Sequence, residues 1–344
     1  MQITKNLIAQ VNDQEVSLFT LSNSNGMQVQ ITNYGCTIVS IKFPDQSNCL
    51  RECVLGFDDF SNYLSEEYNQ DFPHMGGLVG RYANRISQGK FFIEGVQYSL
   101  PVNNGPNHLH GGEKGFDRVV WNAWVEDTKL KLQYLSLDGE EGYPGNLHCE
   151  VCYSLTEENQ LFQWIQATTD KPTVVNLVNH TYFNLAHGIS QDCLDHELYI
   201  PSDFYVEVNQ DLIPTGNLVS VHSSCMDFSY SHSIRQSITS GYDHTYVLRK
   251  DLENPGIKLG AKVIDKASGR QLEVHTTEPG IHLYTGNYLN NLKGHDNQVY
   301  KKHYGFCLET QKFPDSPNRP EFPSCFLDPD SVYSSTTVFS FSVI

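Results

Sequence analysis

The chain has 344 residues, of which 39% are hydrophobic and 12% aromatic: enough to build a packed core and too much for a disordered chain. Lys and Arg number 23 against 40 Asp and Glu, and the resulting net charge of −17 would repel a phosphate backbone, which argues against nucleic-acid binding. Charged residues are only 18% of the total, too few for a coiled coil or helical array, and no apolar run approaches the ~20 residues of a membrane span.

The segment Met1-Gln2-Ile3-Thr4-Lys5-Asn6-Leu7-Ile8 lacks the apolar core of a signal peptide. The nine cysteines are odd in number and scattered, so reduced thiols and a cytoplasmic location are expected. Met27-Gln28-Val29-Gln30-Ile31-Thr32 alternates apolar and polar, the period of a half-buried strand. The best helical signal lies at 58–67, where Phe60 and Leu64 stand four apart, and the helix it predicts is short. Leu130-Lys131-Leu132-Gln133-Tyr134 alternates again. Cys149 and Cys152 have the spacing of a CxxC motif, but on a strand they face opposite ways and read as packing thiols. Lys266-Ala267-Ser268-Gly269 reads as a hairpin turn before Leu272-Glu273-Val274-His275. In the last strand Phe339, Phe341 and Val343 share one face, with Ser340 and Ser342 on the other. Gly and Pro are spread as turn punctuation rather than gathered into a linker. About 150 residues per domain would give two domains, but all-β folds exceed that rule. The expected fold class is therefore all-β: one large antiparallel β-sandwich, a single domain over 1–344.

Four polar clusters interrupt this pattern. In Gly80-Arg81-Tyr82-Ala83-Asn84-Arg85-Ile86, two arginines four apart fit either surface ion pairs or a fork that holds sugar hydroxyls or a carboxylate. In the Gly/Asn-rich loop 103–112, His108 and His110 suit a binding loop, while no third ligand of suitable spacing completes a metal site. In 175–185, His180 sits among asparagines, and is either a core histidine satisfied by an amide or a functional group. In Gly305-Phe306-Cys307-Leu308-Glu309-Thr310-Gln311, Glu309 lies in an apolar run. A carboxylate buried there is expensive unless paired, and burial raises its pKa into the range of a general base. Asp243, after Gly241-Tyr242, fits a turn former equally well.

Taken together, these strings resemble the aldose 1-epimerases, also called galactose mutarotases. The matching segments are Asn33-Tyr34-Gly35, Val54-Leu55-Gly56-Phe57, 80–86, 108–112 with Gly115-Phe116-Asp117 and Trp121, and 138–145. They continue with 176–185, 212–216, 284–287, and 309–311 with Phe313-Pro314-Asp315, in the family's order over nearly the whole chain. The resemblance implies a β-supersandwich and an enzyme without cofactor or metal that interconverts the α and β anomers of free hexoses such as galactose and glucose. It implies Glu309 as general base and His180 as general acid. Asn84, Arg85, His110, Tyr182, Asp243 and His282 match sugar-binding positions, and Arg81 belongs to the motif but is less often a contact. Mutarotation needs a base at the C1 hydroxyl and an acid at the ring oxygen, that is, ionised Glu309 and protonated His180. Asp243 is the carboxylate expected to keep His180 charged, and Tyr182 or Phe306 to cover the sugar's C–H face.

Three departures stand out. His282 replaces the usual Gln, Phe72-Pro73-His74-Met75-Gly76-Gly77 replaces a more aromatic Pro-Tyr-Phe-Gly pattern and so reshapes one wall, and Asp330 stands where Gly is common. Two other readings compete: an enzyme for hexose 6-phosphates, which needs more basic residues, and a sugar-sensing protein without turnover. The expected partner is a small sugar, with no nucleic acid and no membrane, and the chain a monomer or homodimer.

Overall fold

A computed structural model describes residues 1–186, 191–238, 240–249 and 256–344. Three large sheets carry it. An N-terminal sheet of five strands runs in sequence order through Gln2–Val11, Gln14–Ser22, Gln28–Thr32, Ile38–Pro44 and Leu50–Glu52. A nine-stranded sheet is ordered Asn122–Glu126, Lys129–Ser136, Leu147–Leu155, Gln160–Thr169, Tyr333–Val343, Arg270–Thr276, Lys258–Asp265, Glu197–Tyr199 and His232–Ser233. A six-stranded sheet is ordered Tyr182–Phe183, Phe306–Gln311, Gly280–Tyr284, Asp243–Leu248, Ser202–Val208 and Pro214–Ser220. The ladders of all three are antiparallel. The all-β sandwich expected from the alternation is what these sheets form, and the turn at 266–269 joins two paired strands.

One apolar cluster is shared by the three sheets. Phe19, Ile31 and Phe43 enter it from the N-terminal sheet, Leu132, Val151, Leu272 and Phe339 from the large one, and Ile281, Leu283 and Leu308 from the third. Each such side chain contributes roughly 1.5–3 kcal/mol by leaving water. Cys149 is buried in this core while Cys152 is half-buried on the other face of its strand, as their spacing predicts. Phe339 and Phe341 are buried, but Val343, the last residue of the strand, is exposed.

The segment 58–67 departs from the single short helix expected. A 3₁₀ turn over Phe60–Leu64 stops at Ser65, whose backbone is extended, and an α-helix follows over Glu66–Asp71. Ser65 Oγ accepts from Tyr68 N at 3.1 Å and so starts the second helix as an N-cap. The 3₁₀ period, not the α period, decides which residue is buried: Tyr63 packs beside Phe60, and Leu64 faces water.

Arg270 locks the N-terminal sheet to the large one. It is wholly buried. Its Nε and Nη2 donate to Phe43 O at 3.2 and 2.9 Å, and Nη1 donates to Leu185 O and Ala186 O at 3.2 Å each. Replacing this guanidinium strands several buried carbonyls at once. We predict that Arg270→Met lowers the unfolding free energy by about 3 kcal/mol. A urea titration checks this, and an unchanged midpoint contradicts it.

Candidate active site

Strand alternation builds one wall of a cavity of about 300 Å³. In the six-stranded sheet, register places Thr245 opposite His282 and His282 opposite Glu309; one step along, Asp243 lies opposite Tyr284, Tyr284 opposite Cys307, and Cys307 opposite Tyr182. Residues two apart share a face, so these two rows lie on one side. Their neighbours Tyr246, Ile281, Leu283 and Leu308 turn into the core on the other side. Phe306 is among those core residues, packed at 6.1 Å from Phe183, so it does not cover a ligand as the sequence suggested. Tyr182 does line the cavity. Its hydroxyl donates to Pro73 O at 2.9 Å, leaving the ring as its contribution to the wall.

The second wall comes from 80–86 and 108–112. Leu109 pairs with Arg85 and His108 with Ile86. His110 Nδ1 accepts from Asn84 N at 3.2 Å, and His110 N donates to Asn84 O. Arg85 Nε donates to Asn104 Oδ1 at 3.1 Å, which aims the guanidinium at the cavity. Among the described residues its terminal nitrogens have no protein partner. The two arginines thus part company. Arg81 is buried and donates to Pro144 O, Gly145 O and Ser136 O, which makes it neither a surface ion pair nor a sugar fork. The two histidines part as well. His108 is held by Pro101 O and Tyr143 Oη at 2.8 and 2.6 Å, and burial pushes it down to about 4, so it is structural.

Glu309 and His180 meet in the cavity. Oε1 of Glu309 lies 3.6 Å from Nε2 of His180, and both side chains are nearly inaccessible. Among the described residues no protein group bonds to Glu309 Oε2, which is buried, an unusual state for a carboxyl oxygen. Burial raises Glu309 to about 7 and lowers His180 to about 3, because both charged forms lose water. The two residues therefore hold a single proton between about pH 3 and about pH 7 and lose it above.

Asp243 makes no direct contact with His180; its charge favours the charged imidazole, as expected, but burial outweighs it. Its Oδ1 lies 2.7 Å from His282 Nε2, while His282 Nδ1 is 2.8 Å from Thr245 Oγ1. Strand register dictates this: Asp243 and His282 come from adjacent strands, and His180 comes from a different segment. Desolvation, the largest single effect, would raise Asp243, but the bond to His282 and the charges of His282, Arg85 and His244 together lower it. The partner of His180 on its other nitrogen is Cys307, with Sγ 3.5 Å from Nδ1.

The expectation that 72–77 shapes one wall holds, since Phe72, Pro73 and His74 line the cavity, but no individual role was expected of His74, Asp117 or Tyr284. All three were in quoted segments, but the contact of His74 Nδ1 with Asp117 Oδ2 at 2.7 Å spans 43 residues and leaves no periodic trace. His74 and Tyr284 line the cavity beside the expected residues.

A sheet sandwich whose cleft holds a free buried carboxyl against an imidazole, ringed by amide, guanidinium, imidazole and tyrosine groups, defines a pocket for acid–base chemistry on a small polyhydroxylated molecule. A profile of the aldose 1-epimerase family matches residues 17–340. Galactose mutarotase from Rattus norvegicus is 42% identical over 325 residues, covering 93% of this chain and 92% of its own. Aldose 1-epimerase from Escherichia coli (strain K12) is 36% identical over 339 residues, covering 95% and 96%. The crystal structure of an aldose epimerase homologue from C. elegans superposes with a TM-score of 0.89 at 28% identity, over 96% of this chain and 99% of that one. The chain belongs to the aldose 1-epimerase family.

Burial makes a prediction for the thiols. Cys307 is fully buried and its thiol is pushed well above the usual range, whereas Cys49 and Cys225 are exposed. Iodoacetamide followed by mass spectrometry should tag Cys49 and Cys225 in the native protein and Cys307 only after unfolding. Early tagging of Cys307 would contradict its placement in the wall.

Proposed function

We propose that this protein is an aldose 1-epimerase that interconverts the α and β anomers of free hexoses, galactose and glucose among them. The observation that carries this reading is the 3.6 Å approach of Glu309 Oε1 to His180 Nε2 inside a hexose-sized cavity. Ring opening of a hemiacetal moves two protons. One leaves the C1 hydroxyl, and one arrives on the ring oxygen as the C1–O5 bond breaks. Rotation about C1–C2 and reversal of both transfers then closes the ring on the other face.

In this mechanism Glu309 accepts the C1 hydroxyl proton and His180 donates to O5. The reaction needs one proton between them and returns it at the end, so no net proton is exchanged with solvent. The Glu309 carboxylate, 3.6 Å away, is the nearest counter-charge for a proton on His180, and the charge of Asp243, which bonds to His282, also favours that proton. Arg85, Asn84 and His110 on one wall, and Asp243 with His282 on the other, hold hydroxyls so that C1 and O5 meet the two groups. The rings of Tyr182 and Tyr284 supply apolar surface for C–H groups.

The lining also favours free over phosphorylated sugars. Among the described lining residues, Arg85 is the one Lys or Arg side chain, set against the carboxyl groups of Asp71, Asp243 and Glu309. A phosphate dianion would meet more negative than positive charge there.

Polarimetry with freshly dissolved α-D-galactose tests the reading. Glu309→Gln should lower kcat by about 10²–10⁴-fold while KM stays within several-fold, since the amide keeps the shape and loses the proton acceptor. Wild-type rates in that variant would remove Glu309 from the mechanism.

The shared proton gives a pH dependence. Glu309 is raised to about 7, so the pair holds its proton below that pH and is empty above it. The acid is then missing, and kcat/KM should fall as pH rises through about 7. A kcat/KM that instead climbs through this range would show that the proton-free pair is the active form.

A further inference from the structure

Among the described residues three imidazole–carboxyl pairs stand at the cavity, and the mechanism above uses two of them, His180 with Glu309 and His282 with Asp243. The third is His74 with Asp117, Nδ1 to Oδ2 at 2.7 Å. Asp117 lies in the 3₁₀ turn Phe116–Arg118, with a side chain only 3% exposed. The chain closes around it at two glycines. A Cβ on Gly35 would stand 2.3 Å from the Asp117 carbonyl oxygen, and one on Gly77 would stand 2.7 Å from Asp117 Cβ. Side chains at those positions would push the carboxyl away from His74.

The loop bearing His74 is gripped twice. Phe72 and His74 both have positive φ, 22° and 55°, where side chains rarely sit without support. The guanidinium of Arg118 lies 3.2 Å from the centre of the Phe72 ring, and the Phe72 ring meets His74 edge-on at 4.5 Å. Residues 117 and 118 thus hold alternate residues of the loop, 74 and 72.

The grip decides how the imidazole faces the cavity. With Nδ1 turned to a carboxylate, the neutral ring carries its proton there and leaves Nε2 as a lone-pair acceptor on the far side. Among the described residues, no protein group bonds to His74 Nε2. The ring lines the cavity, 4.6 Å from the His110 ring and 5.9 Å from that of His180. We infer that His74 is a further substrate-binding residue, whose Nε2 accepts a hydrogen bond from one hydroxyl of the aldose, and that Asp117 is the positioning residue that keeps this nitrogen an acceptor. Epimers differ in the direction of single hydroxyls, so one fixed acceptor discriminates between them.

The inference rests on the aldose reading, and the experiment separates the two. Steady-state kinetics are measured for wild type, His74→Phe, His74→Gln, Asp117→Leu and Asp117→Asn with galactose and its 2-, 3-, 4- and 6-deoxy derivatives. If wild type turns over no aldose, both readings fall. If it does, His74→Phe should raise KM for galactose about tenfold, with kcat within about threefold of wild type. His74→Gln should recover part of the loss, because its amide oxygen also accepts. One deoxy sugar, the one lacking the bound hydroxyl, should show equal KM in wild type and His74→Phe. Asp117→Leu, which takes away the acceptor facing Nδ1, should raise KM as well, and a wild-type KM in a folded Asp117→Leu or Asp117→Asn variant would remove Asp117 from its role. A residue that merely props the loop would weaken every deoxy sugar by the same factor in His74→Phe. That uniform loss, or an unchanged galactose KM, overturns the proposal while leaving the aldose reading standing.

Discussion

A carboxyl group with one oxygen unbonded, buried 3.6 Å from an imidazole, is the constraint on which this site depends. Neither group holds its usual charge readily there. Burial lifts Glu309 to about 7 and drops His180 to about 3, so the pair keeps one proton over the acid side of neutrality and releases it near neutral pH. A proton that is costly to place on either group moves easily to a third, and a hemiacetal offers two oxygens between which to relay it.

The rest of the fold keeps that pair in place. Antiparallel register sets Glu309 beside His282 and Cys307 beside Tyr182 with no loop involved. Alternation sends Leu308 into the core from between Cys307 and Glu309, anchoring the strand from behind. Arg81 and Arg270 are both buried and both bonded mainly to backbone carbonyls, Arg81 fastening the segment that carries Asn84 and Arg85, and Arg270 joining the N-terminal sheet to the large one. This is where the chain spends buried charge without chemistry. The glycines at 35 and 77 allow the close approach that a side chain would block.

Much of this was legible beforehand, because strands write their period into the sequence. The alternating runs, the hairpin turn at 266–269 and the opposed faces of Cys149 and Cys152 follow from two-residue periodicity alone. Glu309 stood out because a carboxylate in an apolar strand needs an explanation. The motif strings placed His180, Asn84, Arg85, His110 and His282 around one cavity, and the cavity contains them. What periodicity does not carry is which side chains meet across distant segments. The partner of Asp243 proved to be His282, not His180, because cross-strand register outranks closeness in function. Phe306 went to the core because it is an odd number of residues from Glu309. His74 with Asp117 is a contact between two loops, for which the sequence holds no period at all. The helix at 58–67 split because a serine cap restarted it.

The most direct test is a crystal structure of the Glu309→Gln variant with galactose bound. The account predicts that the C1 hydroxyl lies within about 3.2 Å of the side chain at 309 and the ring oxygen within about 3.2 Å of His180 Nε2. A sugar seated elsewhere in the cleft, or turned so that C1 and O5 face away from these two groups, would contradict it.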